Sequence, residues 1–77
     1  MRRDEWLAGF CEQLGLEAPS KEEVVALLDL AATAAHSSER TAAPLACWVA
    51  GRSGRPLEEL GEIAKEVAPA PAADEQP

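Results

Sequence analysis

Positive charge is scarce in this chain. Seven Lys and Arg stand against fourteen Asp and Glu in 77 residues, for a net charge of −7. Phosphate backbones and anionic lipid surfaces are held by concentrated basic surface, so nucleic-acid and membrane binding are excluded as functions. No apolar run approaches the ~20 residues that cross a bilayer. The start Met1-Arg2-Arg3-Asp4-Glu5 leads into no apolar stretch of signal-peptide type, and a cytoplasmic protein is expected. Thiols and imidazoles are few: Cys11, Cys47 and His36 are the whole set. A zinc site needs about four converging N or S ligands in closely spaced pairs, so no metal is expected. Both cysteines sit among apolar residues at helical spacing, where reduced, buried thiols are the reading. β-Branched residues are few, and no stretch alternates apolar with polar as a half-buried strand does.

What is abundant is Ala, Leu and Glu, a helix-forming composition. At 8.2 kDa the chain has room for one small domain, which buries only about 60% of its unfolded surface and so has a thin core. The pattern predicts an all-α fold, a small bundle of three to four short helices over residues 1–68. A Pro/Ala/acidic tail follows over 69–77, with no apolar side chain larger than Ala or Pro, and is expected to be disordered.

The first helix is expected over about Asp4–Leu14. Trp6, Leu7, Phe10, Cys11 and Leu14 recur at three- and four-residue steps on one face, and Gly15 supplies a left-handed stop. The second begins at Ser20, whose partner Glu23 three residues on completes a capping box. Its inward stripe is read as Val24, Leu27, Leu28, Ala31 and Ala35, widened by Val25 and Leu30. Pro44 is not tolerated deep within a helix, so Thr41 is placed as the N-cap of a third helix, Ala42–Ala50, that buries Leu45, Trp48 and Val49 and stops at Gly51. A single kinked helix is the alternative. Pro56 opens the last helix, with Leu57, Leu60, Ile63, Ala64 and Val67 facing inward. Trp6 and Trp48 are both expected to be packed.

No catalytic apparatus is visible, and neither an enzyme nor a cofactor is expected. The Gly51-Arg52-Ser53-Gly54-Arg55 loop lacks the frame ending in Lys-Ser or Lys-Thr that cradles phosphate. No calcium loop is present. Glu58, Glu62 and Glu66 recur at four-residue steps, as a solvated face or as an acidic ridge for a basic partner. The junction before Pro44 is more informative. His36, Glu39, Arg40 and Pro44 meet where two helices join, and form the candidate partner-binding patch. The competing reading is structural: His36 caps the second helix and Arg40 pairs with a carboxylate.

The same junction carries a resemblance. Trp6-Leu7, Leu14-Gly15-Leu16, Val25 through Leu30-Ala31, Ala35-His36, Glu39-Arg40, Ala42-Ala43-Pro44-Leu45 and Ala50-Gly51 resemble a family of small uncharacterised bacterial helical domains. These occur alone or fused C-terminal to molybdenum-cofactor guanylyltransferases. The resemblance implies a non-catalytic accessory or interaction domain in molybdenum-cofactor guanylylation or formate dehydrogenase maturation, with the guanylyltransferase as protein partner. The alternative is an acidic helical interaction or self-association module without a molybdenum link. An acyl-carrier role would need an Asp-Ser-Leu-like attachment site at a helix start, and neither His36-Ser37-Ser38-Glu39 nor Pro19-Ser20-Lys21 supplies one.

Overall fold

In the computed structural model, which describes residues 1–67, four helices follow one another: α1 (Arg3–Leu14), α2 (Lys21–Ser37), α3 (Ala42–Ser53) and α4 (Leu57–Val67). The expected disordered tail at 69–77 lies outside the described residues. Among those described there is no strand, in keeping with the all-α expectation.

Local chemistry fixes the helix ends. Glu5 of α1 accepts the backbone N–H of Arg2 at 3.1 Å, and Gly15 closes the helix at φ 73°. The capping box of α2 is reciprocal: the Ser20 N–H donates to Glu23 Oε1 at 2.8 Å, and the Glu23 N–H donates to Ser20 Oγ at 3.1 Å. Ser37 ends α2 and Ala42 begins α3, so these are two helices and not one kinked rod. Pro44 sits in the first turn of α3, where a missing N–H costs nothing. Thr41 holds the N-cap position, but its side chain makes no capping bond. The Pro56 carbonyl accepts the Leu60 N–H at 3.1 Å at the head of α4.

One helix end differs from expectation. Helix α3 does not stop at Gly51; it continues to Ser53 and closes on Gly54 at φ 72°. Two bonds explain the later stop: Ser53 Oγ donates to the Ala50 carbonyl at 2.6 Å and accepts the Arg55 N–H at 3.1 Å. The hydroxyl thus serves both the last carbonyls of the helix and the first amide beyond it. Gly51 is consequently an ordinary helical residue with open space where a Cβ would stand. Gly51→Ala should therefore stabilise the protein by about 0.5–1 kcal/mol, whereas Gly54→Ala, forced into the left-handed region, should destabilise it by about 1 kcal/mol. Paired urea titrations check the two signs.

Helix α2 is the spine. It packs against both α3 and α4, while α1 makes only marginal contact with the rest. Burial is sparse: Leu30, at 6% exposure, and Ala50, at 8%, are the only buried side chains among the described residues. The expected core is correspondingly corrected. Trp6 is 55% exposed and Trp48 65%, and Leu45 and Val49 are exposed as well. In α2 Leu30 and not Leu28 lies deepest, with Val25 and Leu28 facing out. Cys11 and Cys47 are free thiols but half-buried, not buried. Three short helices offer few faces that turn toward one another, so most apolar side chains find no partner within the chain.

Candidate functional site

The predicted patch is assembled at one corner of the fold. His36 lies in the last turn of α2, Glu39 and Arg40 form the turn that follows, and Pro44 stands in the first turn of α3; all four are exposed. The turn is held by its backbone. Glu39 and Arg40 carbonyls accept the Ala42 and Ala43 N–H groups at 2.9 and 3.1 Å, and the Ser38 N–H donates back to Ala34 at 3.1 Å. Their side chains are therefore not spent on building it. Among the described residues neither His36, Glu39 nor Arg40 enters a side-chain hydrogen bond or ion pair; the ion pairs are Arg3–Asp4 at 2.9 Å and Arg55–Glu59 at 2.8 Å. The expected structural pairing of Arg40 with a carboxylate is not formed. What remains at the corner is one imidazole, one guanidinium and one carboxylate, presented to solvent by a rigid turn.

A second feature lies beside this corner, built from residues that helical periodicity assigns to a core. Helices α2, α3 and α4 enclose an open groove of about 520 Å³. Its floor includes Leu30 and Ala50, its walls Ala34, Ala46 and Ala64, and its rim Leu45 and Ile63. Ser37, Ser38 and Ala42 lie at its end next to the corner. The small residues matter here: alanines on all three helices leave a trough where larger side chains would have closed a core. Thr33 also lines it, with its hydroxyl donating to the Asp29 carbonyl at 3.1 Å, so this polar group is already satisfied.

The third feature is α1. Leu7 and Cys11 are half-buried, and Leu7 shares a shallow hollow with Pro19 and Val24 at the start of α2. On the same broad face Trp6, Phe10 and Leu14 stay exposed to solvent at four-residue steps. Trp6 and Phe10 stack with ring centroids 5.0 Å apart and planes at 29°. On α3, Arg52 lies 4.7 Å over the Trp48 ring, a cation–π contact that covers one face of an otherwise exposed indole. The acidic residues Glu58, Glu62 and Glu66 of α4 are exposed.

Among the described residues no cluster of His, Cys, Asp and Glu is placed to hold a metal ion, and no helix is long and apolar enough to cross a membrane. The groove and the α1 ledge escaped sequence reasoning, although a signal for them existed. Each helix carries more apolar side chains than a four-helix chain of this size can cover.

In comparison with known proteins, the model of a family described as a domain of unknown function, DUF6457, matches residues 1–75. No curated protein and no solved structure matches the chain.

Proposed function

We propose that this chain, which belongs to the DUF6457 family, is a non-catalytic interaction domain that completes its own thin core by binding protein. One observation carries the reading. Among the described residues two side chains are buried while twelve large apolar residues are exposed, an inversion of what a self-sufficient monomer shows. Such a surface is stable in water when another polypeptide covers part of it.

The partner we propose for the corner at His36, Glu39, Arg40 and Pro44 is a molybdenum-cofactor guanylyltransferase, placing the domain as an accessory to cofactor guanylylation or formate dehydrogenase maturation. The resemblance of Ala35-His36, Glu39-Arg40 and Ala42-Ala43-Pro44-Leu45 supports the partner, and the exposed, uncommitted Arg40 and His36 side chains support the site. A guanidinium held on a rigid turn is suited to a charge-assisted bond with a carboxylate across an interface.

Arg40→Ala should weaken binding to the guanylyltransferase by about 1.5–3 kcal/mol, roughly tenfold or more, because a charged hydrogen bond is lost. The helical signal and the melting temperature should stay at wild-type values, since Arg40 has no partner within the described fold. A calorimetric titration of both proteins into the guanylyltransferase checks it. Equal affinity would remove Arg40 from the site, and absence of wild-type binding would remove the partner.

A further inference from the structure

We draw no further inference here: the strongest candidate, the apolar groove between α2, α3 and α4, carries nothing, because nothing in the structure shows what covers it.

Discussion

Leu30→Ala is expected to take away a large share of the folding free energy of this domain. Leu30 is the most buried side chain described and lies on the helix that holds α3 and α4 together. Truncating a buried Leu to Ala costs about 2–5 kcal/mol, and the groove beside it favours the lower part of that range, since the site is already open on one side. A domain of this size is stable by only about 3–10 kcal/mol. Loss of the side chain therefore consumes a large share of the total. Urea unfolding followed by far-UV circular dichroism should show a midpoint shifted strongly down, or no folded baseline. Leu28→Ala, two residues away and exposed, should cost well under half as much. Equal effects of the two substitutions would show that Leu30 is not the centre of the fold.

Ala50→Asp should be more damaging still. Ala50 is the other buried residue, at the contact of α3 with α2, and both surfaces there are apolar. A carboxylate at that point either loses its hydration, takes up a proton, or pushes the two helices apart, and each route costs several kcal/mol. No basic group lines the groove to offset it. The variant is expected to lack a cooperative thermal transition at 25 °C and above. Gly51→Asp, one position on and exposed, is the control and should melt close to wild type, because its side chain points into open space. A folded, cooperative Ala50→Asp protein would mean that α2 and α3 do not close on this residue.

The helices themselves were legible in the sequence because their signals are local. Ser20 and Glu23 lie three residues apart, and their two hydrogen bonds need nothing from elsewhere in the chain. Pro44 and Pro56 each mark the neighbourhood of a helix start for the same reason, and Gly15 a helix end. Gly51 misled because a glycine near the end of a periodic run reads as a stop. The stop was set three residues later by the Ser53 hydroxyl and Gly54, a combination that only the built backbone makes visible. The break between α2 and α3 was likewise legible, since a proline in a first turn puts the residues just before that helix, here Glu39 and Arg40, in a turn.

Burial is a different matter. Periodicity states which side chains share a face of a helix, and it did so for Leu60, Ile63 and Ala64, which all line one groove. It carries no information on whether a facing surface exists. By itself the sequence determined the class of fold, the positions of four helix starts and the acidic character, because each follows from covalent geometry, capping and composition within a few residues. Only the tertiary arrangement decided that Trp6, Phe10, Leu45 and Trp48 stand in solvent, that alanines hollow a groove between α2, α3 and α4, and that α1 lies apart. Those outcomes depend on how many helix faces meet, and burial is a property of pairs of surfaces, which no single stretch of chain specifies.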